Sequence, residues 1–390
     1  MNAVKLQARK ASLQAWDVMR IYAHNIPRLQ GSQMTINRLK HFRVMNAETQ
    51  TQAAKAAGVT QPTYQRWETG KAEIPKSHLV KLAKHFKTNE LELLGRHPPK
   101  KAAFYDDEAP LDLQYYGECA VHFGSGGDPL VLSISEAAYA QAYRELQSNK
   151  RFIVIKDLGN RTVAIRHKAI SEFYFSSEAY DTYGPDHDDY KLATPIQMPD
   201  TRDWAIVEAI LDEEDTGGDY TSDFAKDDVE RVQRQIMITD EQFDELVAKG
   251  AIKPEDLAIE KAARAVETEE IMALAHTVTV QFSTGKRRKI AYVDCNLFEC
   301  IEPLIDVNFP YSGNDDDEPN MIRLPYEGYH RTAFFNPDAL DYISFPTHKI
   351  EEDEIESYDD GLIDDADANS DDAMEIKLPK TKKRRGRDEN

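Results

Sequence analysis

Cysteine is scarce in this sequence, which has only Cys119, Cys295 and Cys300 among its 390 residues. The number is odd, and no two of the three have the Cys-x-x-Cys spacing. This usage argues against a disulfide framework and is typical of the reducing cytosol. We therefore expect a cytoplasmic protein without structural disulfides.

Long apolar runs are also absent. No stretch approaches the roughly 18–20 apolar residues that a helix needs to cross a bilayer, so no membrane partner is expected. The first residues lack the continuous apolar segment of a signal peptide, so secretion is not expected either. The 390 residues, of which 41% are hydrophobic and 30% charged, are enough for two or three domains with cores of their own.

Motifs for catalysis, cofactors and metals are missing as well. The sequence has no phosphate-binding glycine loop, no Gly-x-Ser-x-Gly elbow and no His-Glu-x-x-His pair. Residues 212–223 have some spacings of a calcium loop, but Asp219 stands where an apolar residue belongs. His187 lies among aspartates in a segment typical of a surface loop. We therefore expect no enzyme activity, no cofactor and no metal site.

The two signs of charge are unevenly distributed along the chain. Residues 1–100 contain 17 Lys and Arg against 6 Asp and Glu, a net charge of +11. The other 290 residues contain 31 against 63, a net charge of −32. This division favours an N-terminal part that meets a polyanion and a remainder that does not. An acidic surface that only keeps the protein in solution is the alternative for the remainder.

Residues 50–71, QTQAAKAAGVTQPTYQRWETGK, have the pattern of two short helices that cross at a tight turn. Thr49 suits the N-cap of the first helix, and Gly58 suits the turn, where a left-handed conformation costs glycine little. Thr60 can cap the second helix, with Pro62 in its first turn, where a missing N–H does no harm. Small side chains keep the first helix thin at the crossing: Ala53, Ala54 and Ala57.

The second of these helices has two distinct faces. Tyr64 and Trp67 are three residues apart and are predicted to point towards the core. The remaining side chains then lie on or near the outer face: Gln61, Pro62, Thr63, Gln65 and Arg66.

The segment resembles the helix-turn-helix of the phage-repressor-like (Xre) family in its small residues, turn glycine and Trp-Glu-x-Gly-Lys ending. The resemblance implies a five-helix domain that binds double-stranded DNA. Ile36, Leu39 and Phe42 would face inward from its first helix. Its fourth and fifth helices would be supplied by Ile74-Pro75, Leu79, Leu82, Ala83, Phe86 and Leu91–Leu94.

The resemblance also implies the role of each site residue. Base contacts would come from Gln61, Pro62, Gln65 and Arg66. Glutamine can pair with adenine N6 and N7, and arginine with guanine O6 and N7, whereas proline offers only an apolar contact. Phosphate contacts, which fix the register on DNA, would come from Gln50, Thr63 and Lys71. Arg43 and Glu68 match the family's internal ion pair and are expected to be structural.

An internal repeat follows the linker that begins at Pro98. Residues 161–165 (RTVAI) match residues 331–335 (RTAFF) at an offset of 170. Upstream, at an offset of 159, Phe123, Gly126, Val131 and Ile134 match Phe282, Gly285, Ile290 and Val293. Each copy predicts strand, glycine turn, strand, helix, strand, strand, with Ser135 and Asp294 as the helix N-caps.

The predicted fold is a multidomain chain with an all-α, five-helix DNA-binding head and an α+β body. The body consists of two tandem ββαββ-like repeats with an acidic helical insertion between them. The boundaries are extension 1–33, head 34–97, linker 98–114, first repeat 115–180, insertion 181–270, second repeat 271–350 and tail 351–390. Residues 351–372 contain 12 acidic residues, so a disordered acidic tail with a basic terminus is expected.

These features predict a sequence-specific regulator of transcription in bacteria or phage that is associated with the nucleoid. It is expected to bind DNA as a homodimer, with the acidic body used for oligomerisation or for contact with a protein partner or effector. The alternative is a DNA-tethered scaffold or nucleoid-type protein whose repeats recruit another protein. We also expect the acidic tail to compete with DNA for the basic head, since acidic side chains can mimic phosphates.

Overall fold

The computed structural model describes residues 37–104, 106–177, 196–292, 295–305, 321–325 and 331–362. The predicted extension 1–33, Ile36, His187, Asp294 and the tail after residue 362 lie outside this part of the chain. Among the described helices, none is long and apolar enough to cross a membrane.

The head consists of five short helices: α1 (Leu39–Met45), α2 (Gln50–Ala57), α3 (Gln61–Glu68), α4 (Lys76–His85) and α5 (Glu90–Leu93). Thr49 and Gln52 form a capping box that satisfies backbone N–H groups at the start of α2. Gly58 ends α2 in the left-handed conformation (φ 76°), which turns the chain into α3. Thr60 occupies the N-cap of α3, but its side chain makes no capping hydrogen bond.

The core of the head forms where α2 and α3 cross. Tyr64 is fully buried and Trp67 is 4% exposed, as their spacing predicted. Leu91 of α5 points outward and is 54% exposed. The buried members of this core are Leu39, Ala53, Ala54, Ala57, Tyr64, Trp67, Leu79, Leu82, Ala83, Phe86 and Leu93.

The first half of the body contains five strands and one helix. They are β1 (Tyr115–Phe123), β2 (Leu130–Ser135), α6 (Glu136–Leu146), β3 (Phe152–Lys156), β4 (Arg161–Arg166) and β5 (Ile170–Ser176). Ser135 caps α6 by accepting a hydrogen bond from the backbone of Ala138, as predicted. A single turn of 3-10 helix, His167–Ala169, separates β4 from β5, so this half has a strand beyond those in the predicted ββαββ order.

Four helices follow: α7 (Thr201–Thr216), α8 (Lys226–Ile236), α9 (Asp240–Ala248) and α10 (Leu257–His276). Thr239 starts α9 with a capping box. Trp204 of α7 is fully buried and is held by a 2.6 Å hydrogen bond from its indole Nε1 to the carbonyl of Met198. Helices α7, α8 and α10 share a core of their own, to which α8 contributes Val232.

The second half of the body repeats the order of the first. It contains β6 (Thr277–Phe282), β7 (Arg287–Ala291), α11 (Leu297–Ile301), β8 (Ile322–Pro325), β9 (Thr332–Phe335) and β10 (Leu340–Pro346). Asn296 caps α11, whereas the predicted cap, Asp294, lies outside the described residues. Helix α10 continues to His276, so this half begins at Thr277 rather than at residue 271.

All strand pairs among the described residues are antiparallel, in sheets ordered β2-β1-β5, β3-β4-β10-β6-β7 and β8-β9. The two halves have the same connectivity: the first strand lies between the second and the last. Their registers also agree, since Val121 lies opposite Phe173 in β1–β5 and Val280 opposite Ile343 in β6–β10. The strand pairing matches Ile290 with Leu132, so the alignment with Val131 was wrong by one residue.

The predicted disordered tail is wrong for its first ten residues, because α12 (Thr347–Asp360) is helical to its end. Ile350 of α12 is 4% exposed in the core of the second half, and the ring of Tyr358 packs edge-on against Phe298 at 5.6 Å. The prediction was based on acidic composition alone, which did not show that this helix has an apolar face packed against the body.

The start of the predicted linker is fixed to the body. Arg202 Nη1 donates hydrogen bonds to the carbonyls of Gly95 (2.8 Å) and His97 (3.1 Å). Asp200 Oδ2 accepts a 2.9 Å hydrogen bond from the backbone N–H of Lys100 and pairs with Arg202. The head is thereby held against the N-terminal end of α7.

Candidate DNA-binding surface

Helix α3 presents one polar face to solvent. Pro62, Gln65 and Arg66 are exposed, and Gln61 is half-buried at the start of the helix. The opposite face is held by the buried rings of Tyr64 and Trp67, a division that follows from the 3.6-residue helical period. The four residues predicted to contact bases thus share one helix, and three of them are exposed.

A hydrogen bond joins the first residues of α2 and α3. Gln61 Nε2 donates to Gln50 Oε1 at 2.7 Å. Gln50 Nε2 in turn lies 3.5 Å from Glu68 Oε1, its acceptor at the end of α3. The predicted phosphate contact, Gln50, and the predicted base contact, Gln61, are therefore adjacent and orient each other.

The other two predicted phosphate contacts lie at opposite ends of α3. Thr63 is half-buried, and its hydroxyl is 2.9 Å from the hydroxyl of Thr60. Lys71 is exposed just after Gly70, which has φ of 68°. The backbone N–H of Ala72 donates to the carbonyl of Arg66 at 3.1 Å, which ties the segment that carries Lys71 to α3.

Arg43 and Glu68 form a two-pronged ion pair behind this surface. Arg43 Nε and Nη2 donate to the carboxylate of Glu68 at 3.0 and 2.7 Å, and Nη1 donates to the carbonyl of Glu48 at 3.0 Å. Burial alone would lower the pKa of Arg43, but its bonds to Glu68 and Asp359 raise it above the ordinary value. Because the guanidinium is only 1% exposed, the pair joins α1 to the end of α3 rather than facing solvent.

Sequence reasoning did not find the contact between α12 and the head. Lys40 Nζ lies 2.5 Å from Glu356 and 3.2 Å from Asp359, and Arg43 Nη2 lies 2.7 Å from Asp359. The uneven charge was the available signal, because it predicted an attraction between the acidic tail and the basic head. Sequence alone did not show that α1 is the element in contact.

This arrangement suits recognition of a duplex. An α-helix fits the major groove of B-DNA, and glutamine and arginine side chains on its outer face can form two hydrogen bonds with one base. Phosphate-binding side chains at the start of α2 and after α3 would fix the helix in the groove. The geometry thus defines a helix-turn-helix DNA-binding domain.

Comparison with known proteins agrees with this class. Residues 44–93 match the helix-turn-helix family HTH_3, so the chain carries an Xre/Cro-type helix-turn-helix domain in its N-terminal region. This domain implies DNA binding. No curated protein and no solved structure matches the chain.

Proposed function

We propose that this protein is a sequence-specific regulator of transcription that inserts α3 into the major groove of its operator. The observation that carries the proposal is the outer face of α3, where Gln65 and Arg66 are exposed while the opposite face of the helix packs into the core of the head. Base contacts are assigned to Gln61, Pro62, Gln65 and Arg66, and phosphate contacts to Gln50, Thr63 and Lys71. The proposal assigns no chemical step to the chain.

Fixed side chains support specific rather than general binding. The hydrogen bond between Gln61 and Gln50 restricts two long side chains before DNA arrives, which reduces the entropy lost on binding. Within the described residues, no side-chain hydrogen bond holds the guanidinium of the exposed Arg66. It is therefore available to pair with guanine O6 and N7.

The opposite charges of head and body favour separate functions for these two parts. Its negative charge opposes close approach to DNA, so contact is confined to the head. We assign the body to self-association, in which two heads would occupy half-sites about one helical turn apart, roughly 34 Å. A second candidate, a DNA-tethered scaffold, is favoured by the two matching halves of the body, which offer one binding geometry twice.

Selection of bound duplexes from a random library tests the proposal. Wild-type protein is expected to enrich a short motif, and Arg66→Ala is expected to lose preference at one base position, at a cost of about 1–3 kcal/mol on the motif. Arg96→Ala is the matched control, because it removes an exposed arginine of the head that is not on α3. A wild-type library without any enriched motif would contradict sequence-specific binding and would favour the scaffold.

A further inference from the structure

The two halves of the body are joined edge to edge. Strand β4 of the first half pairs antiparallel with β10 of the second, with Ala164 opposite Ile343. Arg161 is buried at this joint and donates from Nη2 to the carbonyl of Ser344 at 2.7 Å. We call this pairing the internal joint.

Each strand of the internal joint has a counterpart in the other half of the body. The offset of 170 relates β4 to β9 and β10 to β5, and it is supported by the matching registers of both halves. Within the described residues, β9 pairs only with β8, and β5 pairs only with β1. Each of these two strands therefore has one edge without a neighbouring strand in the described part of the chain.

The surface next to β9 exposes residues whose counterparts are buried. Strands β8 and β9 pair Ile322 with Phe335, and strands β3 and β4 pair Ile153 with Ile165 in the same way. By this register, Met321 corresponds to Phe152, and Phe334 corresponds to Ala164. At the internal joint Phe152 is 3% exposed and Ala164 is fully buried. Met321 is 43% exposed and Phe334 59% exposed, although both are large and apolar.

Strand β5 offers a matching apolar edge. Ile343 and Phe345, which pack against β4 at the internal joint, correspond to Phe173 and Phe175 of β5. Both phenylalanines are half-buried, and their rings lie 4.7 Å apart. Aromatic pairs across antiparallel strands contribute to sheet stability, so this edge suits an exposed Phe334.

We infer that β9 of one chain pairs antiparallel with β5 of a second copy, in the geometry of the internal joint. The register of that joint places Phe334 opposite Phe173 and Ala333 opposite Tyr174 of the second copy. Arg331 stands at the position of Arg161. The interface uses two different surfaces, so the copies associate head to tail, and growth continues until a ring closes or a filament forms.

Sedimentation velocity of the full chain over a range of concentrations tests this inference without DNA, so it is independent of the proposed function. Wild-type protein is expected to form species larger than a monomer as its concentration rises. Phe334→Glu is expected to lose them, because it places a charge in the apolar contact. The matched control is Ile259→Glu, which changes an apolar residue of α10 that is 69% exposed and should associate like wild type.

Mixing two variants tests the head-to-tail geometry. Phe173→Glu and Phe334→Glu each retain one intact edge, so neither should associate alone, whereas an equimolar mixture should give a one-to-one dimer that does not grow. Met321→Glu provides a second change on the β9 side, and thermal melting of each variant shows that it is folded. A monomeric wild type, association of Phe334→Glu alone, or a mixture that remains monomeric would overturn the inference.

Discussion

Lys71 follows Arg66 by five residues in one short segment, yet their proposed roles on DNA differ. The carbonyl of Arg66 holds the segment that carries Lys71, so both side chains start from one rigid support. A lysine that neutralises a phosphate contributes the same binding energy on any sequence. An arginine that pairs with guanine contributes only where guanine is present.

Substitution of Lys71 should therefore separate affinity from specificity. Lys71→Ala is expected to weaken binding to operator and random duplex alike, and to reduce the slope of log K against log salt by about one unit. Affinities measured on both duplexes at several salt concentrations check this. A loss confined to the operator would show that Lys71 contacts a base instead.

Asp353 of α12 makes the stability of the body sensitive to pH. Burial raises the pKa of Asp353 to about 6, although its carboxylate accepts a 2.6 Å hydrogen bond from the backbone N–H of Leu297. Because the folded-state pKa is above the ordinary value of 3.8, the folded protein binds this proton more tightly than the unfolded chain. The stability that this group contributes is fully present at low pH and is lost as the pH rises through 6.

Asp353→Asn removes this ionisation and keeps an acceptor for the N–H of Leu297. The Tm of the variant is expected to exceed that of wild type at pH 7.5, and the difference should vanish towards pH 4. Thermal melting over this pH range checks the prediction, with the exposed Asp360→Asn as control. Equal Tm values for Asp353→Asn and wild type at pH 7.5 would contradict a raised pKa of the Asp353 carboxyl group in the folded protein.

Helix α12 connects the head to the second half of the body. Its apolar side packs into the body through Ile350 and Tyr358, while Glu356 and Asp359 reach Lys40 and Arg43 of α1. Arg43 also binds Glu68, whose carboxylate accepts from Gln50. Three successive contacts, through Arg43 and Glu68, thus connect the acidic helix with the proposed phosphate-binding side chain of Gln50.

Loss of one carboxylate from this contact should strengthen non-specific DNA binding. Asp359→Asn is expected to raise affinity for random duplex at low salt by about two- to five-fold, which corresponds to roughly 0.5–1 kcal/mol. The gain should fade as salt rises, because exposed charges are screened. Asp360→Asn is the matched control, since it removes the adjacent carboxylate; equal effects of the two variants would contradict a specific restraint at Asp359.

Elements whose signals are local could be predicted from the sequence. The capping box at Thr49, the turn at Gly58 and the cap at Ser135 each depend on residues within four positions of one another. Helix α12 could not be predicted in this way, because its contacts are with Phe298 and with Lys40 and Arg43 of the head, which are distant in sequence.

Distance along the chain also limited the prediction of the body. The repeat gave the offset of 170 and the order of the elements except for one strand in each half. The internal joint between β4 and β10 was not predicted. Strands β4 and β10 pair residues as distant in sequence as Arg161 and Pro346, and such pairing leaves no local pattern in the sequence. The candidate site was more predictable, because the residues proposed to contact bases all lie on α3.

At the scale of the whole molecule, the head has a complete core of its own. The buried residues of its apolar core lie between Leu39 and Leu93. Polar contacts join it to the body through Arg202, Glu356 and Asp359. A domain with a closed apolar core is expected to fold independently.

A fragment of residues 34–100 should therefore fold and bind DNA. It is expected to bind random duplex more tightly than the full chain does, because the acidic body is gone, and to bind operator more weakly, because a single head occupies one half-site. Circular dichroism and binding curves on both duplexes check this. An unfolded fragment would mean that Arg202 and α12 are required for the fold of the head.

The central claim is that α3 directs the protein to particular genes. Mapping of occupied sites across the genome of the native host, together with transcript levels, tests it most directly when wild type is compared with Arg66→Ala. Wild type is expected to occupy a limited set of promoters that share one motif, and Arg66→Ala is expected to leave them and change transcription of the adjacent genes. Occupancy that is spread along the chromosome without a motif, and that is unchanged by Arg66→Ala, would contradict the claim.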